Sequence, residues 1–256
     1  MRTALINGFR TGAEPGLVGE CPGCGAAMLS KCGKRRIWHW AHRGGRHCDH
    51  WWEPETEWHV NWKNRFPIQW QENVRWAEDG EKHIADIMAP DGRVIEFQHS
   101  PIDRHERGSR EAFYRSMVWV IDGLSRKRDQ KAFANTLYRL NLQAPVYSGH
   151  SLECALLRDW EGNTADVFFD FGARNEDITT FGAPILWHLH PNTLGRILLT
   201  PVATDFFVKA FLDAKPLPRI LVKPNPPTPG PVLPVSGYPG TLGRYLWHQA
   251  KRRRRF

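Results

Sequence analysis

Asp86 and the tripeptide Glu96-Phe97-Gln98 are acids set in otherwise apolar segments, Ile84-Ala85-Asp86-Ile87 and Val94-Ile95-Glu96-Phe97. A carboxylate in an apolar strand is costly unless a metal ion or a partner compensates it. Two that converge make a site for a hard divalent cation, magnesium or manganese, which takes oxygen ligands and keeps waters that attack phosphorus. A second set lies upstream, where Glu55, His59 and Lys63 recur every fourth residue. A carboxylate, an imidazole and an ammonium on one stripe add an accessory ligand, a group that titrates near neutral pH, and a fixed positive charge.

These residues need a hairpin and a helix to bring them together. Lys82 to Ala89 reads as a strand and Arg93 to Ser100 as its partner, joined by Pro90-Asp91-Gly92, where Pro presets one dihedral and Gly accepts the left-handed one. Alternation puts Glu96 and Gln98 on one face, and the register sets Asp86 across from Glu96 or one step away. Pro54 suits a first helical turn, with Glu55, His59 and Lys63 on one face and Trp58, Trp62 and Phe66 on a core-facing one. After the hairpin, Glu106 to Arg115 reads as a helix whose Arg107, Arg110 and Arg115 are expected to grip phosphates. The apolar strand Met117 to Ile121 follows.

The N-terminal segment carries a different chemistry. Cys21-Pro22-Gly23-Cys24 has the form of a zinc knuckle, and His39-Trp40-Ala41-His42 follows a Lys/Arg-rich hairpin. The expected ligands of a closed, structural zinc site are Cys21, Cys24, His39 and His42, with Cys48 as a substitute. Cys32, His47 and His50 are expected to be bystanders, and Cys154 is assigned no role. A region of about 50 residues needs such a metal to hold its fold.

Several of these motifs, in this order, resemble the CoiA-like competence proteins, whose central region is a restriction-endonuclease-like PD-(D/E)XK nuclease. The resemblance covers Cys21 to Gly123. It rests on Cys-Pro-x-Cys-Gly, His39-x-Ala41-His42, Cys48-Asp49, Glu55-Thr56-x-x-His59-x-x-x-Lys63, Ile84-Ala85-Asp86, Ile95-Glu96-Phe97-Gln98-x-Ser100-Pro101-Ile102 and Arg110-x-x-x-Tyr114-Arg115. It implies an α/β (α+β) core sheet flanked by helices, with Glu55, Asp86 and Glu96 around one or two metal ions. Gln98 stands where the superfamily's final lysine usually falls, as in the CoiA-like pattern itself. Gln orients a water or phosphate but carries no charge. Lys63 is expected to supply that charge and His59 to carry a proton.

Along the whole chain the expected organisation is a Cys/His zinc-ribbon-like module at 1–50, the nuclease core at 51–123, a C-terminal α/β extension at 124–216, and a Pro-rich segment with a basic tail at 217–256. In the extension, Arg126 to Tyr138 reads as a basic amphipathic helix, and Val167 to Phe171 and Ile185 to Leu189 as strands. Trp187, His188 and His190 read as packed or surface residues, not as ligands. Leu217 to Pro239 reads as an extended, largely unpaired linker or surface strap. A formal charge of +8 and a pI near 9.4 favour a polyanionic partner, although the run Lys251 to Arg255 carries much of the excess. No stretch of about 20 apolar residues crosses a bilayer, so a cytoplasmic protein is expected, with no membrane partner. The expected function is metal-dependent cleavage of DNA, single-stranded or branched forms included, in processing, recombination or transformation. Two other functions fit the same residues: a catalytically inactive nuclease-fold DNA-binding module, and a zinc-stabilised adaptor for recombination proteins or a defence complex.

Overall fold

The computed structural model describes residues 1–44, 48–51, 54–139, 141–143, 146–150, 154–172, 184–191 and 197–218. His47, the basic tail and the Pro-rich segment beyond Pro218 lie outside them. Among the described residues the fold is mixed α+β, with two sheets and five α-helices. None of these helices is long and apolar enough to cross a membrane.

The smaller sheet is antiparallel, built from β1 (Thr3–Ile6), β2 (Phe9–Gly12), β3 (Val18–Glu20), β4 (Ala27–Lys31) and β5 (His39–His42), in the order β2-β1-β3-β4-β5. Its buried core is small, formed by Ala4, Cys21, Met28 and Trp40. Trp40 closes it by donating its indole N–H to the Thr11 carbonyl at 2.9 Å.

Helix α1 (Glu57–Lys63) comes next, shorter and later than Pro54 suggests: Pro54 and Glu55 precede the N-cap, Thr56. Thr56 accepts from the His59 N–H while the His59 ring accepts from the Thr56 N–H, a reciprocal capping box. A 3-10 turn (Ile68–Trp70) leads into β6 (Gln71–Trp76), β7 (Lys82–Met88) and β8 (Val94–Gln98), an antiparallel series. Gly92, at φ 83°, takes the left-handed position of the β7–β8 turn. Helix α2 (Arg104–Tyr114) crosses over to β9 (Met117–Asp122), which runs parallel to β8.

The remaining elements are α3 (Asp129–Arg139), β10 (Asn141–Gln143), β11 (Val146–Gly149), α4 (Ala155–Trp160), β12 (Asp166–Asp170), β13 (Ile185–Leu189), β14 (Ile197–Ala203) and α5 (Thr204–Leu212). All the strands from β6 onward form one nine-stranded sheet, ordered β10-β11-β14-β13-β12-β9-β8-β7-β6. Since β12 pairs directly with β9, the sheet runs through residue 123, where a core and an extension were expected to part.

Alternation along the central strands explains its two buried faces. Trp119, Ile121, Val167, Phe169 and Trp187 pack with Tyr114 of α2, Phe133 of α3 and Leu157 of α4. Val118, Val120, Phe168 and Leu186 pack with Trp62 of α1 and Phe207 and Phe211 of α5. Helix α1 is also pinned by polar contacts, since Trp58 and Trp62 both donate to Asp170 Oδ2 on β12, at 2.9 and 2.8 Å.

Candidate active site and metal centre

The β7–β8 ladder pairs Met88 with Val94 and Ile87 with Ile95, which sets Asp86 opposite Glu96. There the side chains take over from the backbone. The Asp86 N–H donates to Glu96 Oε1 at 3.2 Å, and the Phe97 N–H donates to Asp86 Oδ2 at 3.0 Å. The strands remain joined, but by carboxylates whose remaining oxygens face a cavity.

That cavity, of about 70 Å³, is lined by Asp49, Glu55, His59, Lys63, Glu72, Asp86, Glu96, Arg110 and Tyr114, among others. A water occupies about 30 Å³ in the liquid, so the space holds an ion with a water or two. Lys63 is its central cation. Its Nζ lies 2.9 Å from Asp86 Oδ1, 3.0 Å from Glu55 Oε1 and 3.6 Å from Glu72 Oε1. Burial alone would discharge this lysine, but Asp86, Glu55 and Glu72 hold its pKa well above the ordinary value. The stripe expected from the sequence thus converges on Asp86, with Glu55 reaching it from just before the helix.

Glu72 was not foreseen. It is buried on β6 at φ 52°, directly across the register from Asp86. It accepts the N–H groups of Arg2 and Thr3 at 2.7 and 3.0 Å, and the Thr3 hydroxyl at 3.0 Å. Although burial opposes ionisation, Lys63 and these donors bring its pKa down to about 2. The sequence Gln71-Glu72-Asn73 carries no pattern that separates it from an ordinary polar edge strand.

Three expected roles do not fit the geometry. His59 is buried with both ring nitrogens engaged: Nδ1 accepts from the Thr56 N–H, and Nε2 lies 3.2 Å from the Phe97 carbonyl, which requires an N–H there. It ties α1 to β8 as a positioning residue and does not suit proton carriage. Arg107 is buried away from the cavity, bonded to the Asp159 carbonyl at 2.7 Å and paired with Glu111 at 3.7 Å. Arg115 caps α2 at φ 59° with its side chain in solvent, apart from the acids. Only Arg110 reaches the site, 3.5 Å from Glu96 Oε2, with Glu106 and the Trp51 carbonyl as its other partners. Gln98 donates to the Ser100 carbonyl at 2.9 Å and is not among the cavity-lining residues.

The acids outnumber the cations that face them, and two signs mark the surplus. Neither Glu55 oxygen has a hydrogen-bond partner, although both are buried, because the Lys63 ion pair lacks bonding geometry. Burial, followed by the neighbouring Asp86, pushes the Glu96 pKa up to about 8. A divalent cation would answer both, although the groups of described residues whose ligand atoms converge as for a metal are Cys21/Cys24/His42/Cys48, Asp49/His50/His83 and Asp166/His188/His190, none of which includes Glu55, Asp86 or Glu96. The sign of the shift sets a pH dependence. Between the ordinary carboxylate value of 4.5 and about 8 the folded chain holds a proton that the unfolded chain has released. Stability is therefore expected to fall as pH rises through that window, by up to ~1.4 kcal/mol per pH unit. Unfolding midpoints taken in magnesium-free buffer should lose this slope in Glu96→Gln; an unchanged slope would remove Glu96 as its source.

Compared with known proteins, the chain matches no family model, no curated protein and no solved structure. Any functional reading therefore stands on the residues themselves.

The N-terminal sheet presents Cys21, Cys24, His42 and Cys48 with ligand atoms all within 4.8 Å of one another, a cluster that can bind a metal such as zinc. Cys21 and Cys48 Sγ are 3.6 Å apart, and Cys24 Sγ is 3.3 Å from His42 Nε2. Tetrahedral zinc, at Zn–S of about 2.3 Å and Zn–N of about 2.0 Å, requires edges of roughly 3.8 and 3.5 Å. Burial and the nearby Cys21 push the Cys48 thiol up to about 12, since thiolates this close do not ionise together without a cation. Cys48 thus takes the place expected of His39. An odd spacing on β5 separates the two histidines, and His39 Nδ1 pairs instead with the Ile37 carbonyl at 2.7 Å.

This cluster is wired to the acidic cavity. Gly23 lies so close to β7 that a Cβ there would meet Ile84 Cδ1 at 3.1 Å. Asp49, next to Cys48, accepts from the Ile84 N–H at 2.7 Å and pairs with His83 Nδ1 at 2.9 Å. Trp51 stacks on His83 at 3.2 Å between ring centroids. Asp166, His188 and His190 also bring ligand atoms within 4.8 Å of one another, but as buried, hydrogen-bonded groups: His188 pairs with Asp166 and His190 with Thr200, each at 2.9 Å. Trp187 beside them is fully buried.

Proposed function

We propose that this protein is a metal-dependent DNA nuclease of the CoiA-like competence type, with a restriction-endonuclease-like core, acting in DNA processing, recombination or transformation. The observation that carries the reading is the position of Lys63. Its ammonium sits 2.9 Å from Asp86 Oδ1, beside Glu55 and across the hairpin from Glu96, and so supplies from a helix the charge that Gln98 does not. That placement supports an active site in spite of Gln98.

In this reading Asp86 and Glu96 hold magnesium or manganese, with Glu55 as an accessory ligand. When bound, the ion supplies Lewis acidity toward a phosphate oxygen and toward an attacking water. The chain's own residues do the remainder. Lys63, kept protonated by three carboxylates, stabilises the negative charge that grows on the phosphoryl oxygens. Arg110 orients Glu96, and His59 fixes the helix that carries Lys63. Cys21, Cys24, His42 and Cys48 hold a structural zinc, and no membrane partner is involved.

The test is to incubate linear, circular and branched DNA with the protein and magnesium or manganese, beside Asp86→Ala and Glu96→Ala. Cleavage that needs the metal and is absent in both variants is the expected result. Intact DNA with retained binding would favour the non-catalytic DNA-binding module instead, and neither cleavage nor binding would favour an adaptor for recombination proteins.

A further inference from the structure

Beside the acidic cavity lies a larger one of about 770 Å³, walled by the β4–β5 connection and by the segment leading into α1. The connection contributes Lys34, Arg35, Arg36 and Trp38, all exposed, with Trp38 half open to solvent at 50%. Glu55 and Met1 line both cavities, so the groove adjoins the acids. An exposed indole beside three exposed cations does nothing for the small core beneath, which Trp40 closes from within. Opposing charges on the far wall come from Glu55 and Glu57.

We infer that this groove binds a single DNA strand and feeds it past Glu55 to the acidic site, with Lys34, Arg35 and Arg36 on phosphates and Trp38 stacked on a base. The inference rests on the nuclease reading for its polarity, groove first and acids second. Two features favour a single strand over a duplex. A base in a duplex has no free face for an indole, whereas unpaired bases stack on aromatics whatever their sequence. The acids are also deeply set: the Glu55, Asp86 and Glu96 side chains are only 10%, 21% and 7% exposed. A flexible strand reaches such a depth, and a stiff double helix does not.

The experiment measures fluorescence anisotropy of a labelled 20-nucleotide single strand, and of the same sequence as a duplex, in magnesium-free buffer. The proteins are the full chain, Trp38→Ala, and the triple variant Lys34→Ala/Arg35→Ala/Arg36→Ala, with unfolding midpoints and zinc content checking that each folds. The single strand is expected to bind more tightly than the duplex. Trp38→Ala should weaken it by roughly 10-fold with its salt dependence intact. The triple variant should flatten the slope of log K against log salt by about 2, at roughly 0.7 for each phosphate no longer neutralised. Equal binding of duplex and single strand, or folded variants that bind like the parent, would overturn the inference. Weakened binding in the variants of a protein that cleaves no DNA would instead uphold the groove and remove the nuclease reading.

Discussion

Replacing Cys48 by Ser is expected to abolish zinc binding by the cluster and unfold the five-stranded N-terminal sheet, whereas His39→Ala is expected to bind one equivalent of zinc. The magnitude follows from how little else holds that sheet, since its buried core is Ala4, Cys21, Met28 and Trp40. Structural zinc contributes about 10–16 kcal/mol in small zinc-finger peptides at neutral pH, as much as the whole stability of a typical domain. The damage should also travel. Thr3 of strand β1 and Arg2 just before it supply the donors that fix Glu72, and Asp49, beside Cys48, pins Ile84 of β7. Zinc analysis together with amide exchange at Thr3 and Ile84 reads both effects. A Cys48→Ser protein that keeps its zinc, beside a His39→Ala protein that loses it, would restore the ligand set expected from sequence.

Lys63→Met should carry the largest cost of any single change near the acids. The lysine is almost fully buried, and its ammonium separates Glu55, Glu72 and Asp86. Removing one partner from a buried ion cluster typically costs about 3–5 kcal/mol, because the charges left behind are uncompensated. Denaturant midpoints would read that loss directly. Magnesium or manganese should partly restore the variant's stability, since the cation takes over the neutralising role, while cleavage stays lost. Lys63→Arg is not expected to rescue, because a planar guanidinium does not fit among three carboxylates set around one point. A loss below about 1 kcal/mol would put Lys63 with ordinary exposed pairs and sink its central place in the site.

Where local chemistry decided the structure, the sequence was readable. Pro90-Asp91-Gly92 marked the hairpin turn, Asp86 and Glu96 emerged across it, and Ile185–Leu189 forms the strand its apolar run suggested. Lys63 pointed to the site through its spacing from Glu55, even though Glu55 proved to lie before the helix. Long-range contacts were not readable. Glu72 becomes a site residue only because Arg2 and Thr3, at the start of β1 some 70 positions away, deliver two N–H groups to it. Cys48 displaces His39 because the chain returns from β5 to the knuckle, a matter of path and not of residue type. Arg107 and Arg110 look alike on a helical wheel, and only the packing of α4 decides that one binds the Asp159 carbonyl and the other Glu96. The sheet gave no sequence signal of running past residue 123, because the parallel pairing of β9 with β12 spans more than forty residues.

The most direct measurement is a single-turnover rate for cleavage of an end-labelled DNA strand by the parent protein and by Glu96→Gln, in magnesium, in manganese, and with neither. Cleavage is expected only with a divalent ion, at a rate at least ~100-fold lower in Glu96→Gln, as is typical when one charge-stabilising group is removed from an active site. Glu96→Gln should meanwhile fold and bind the strand like the parent. Cleavage that persists unchanged in Glu96→Gln, or a folded parent protein that leaves every strand intact in both metals, would contradict a metal-dependent nuclease built on these acids.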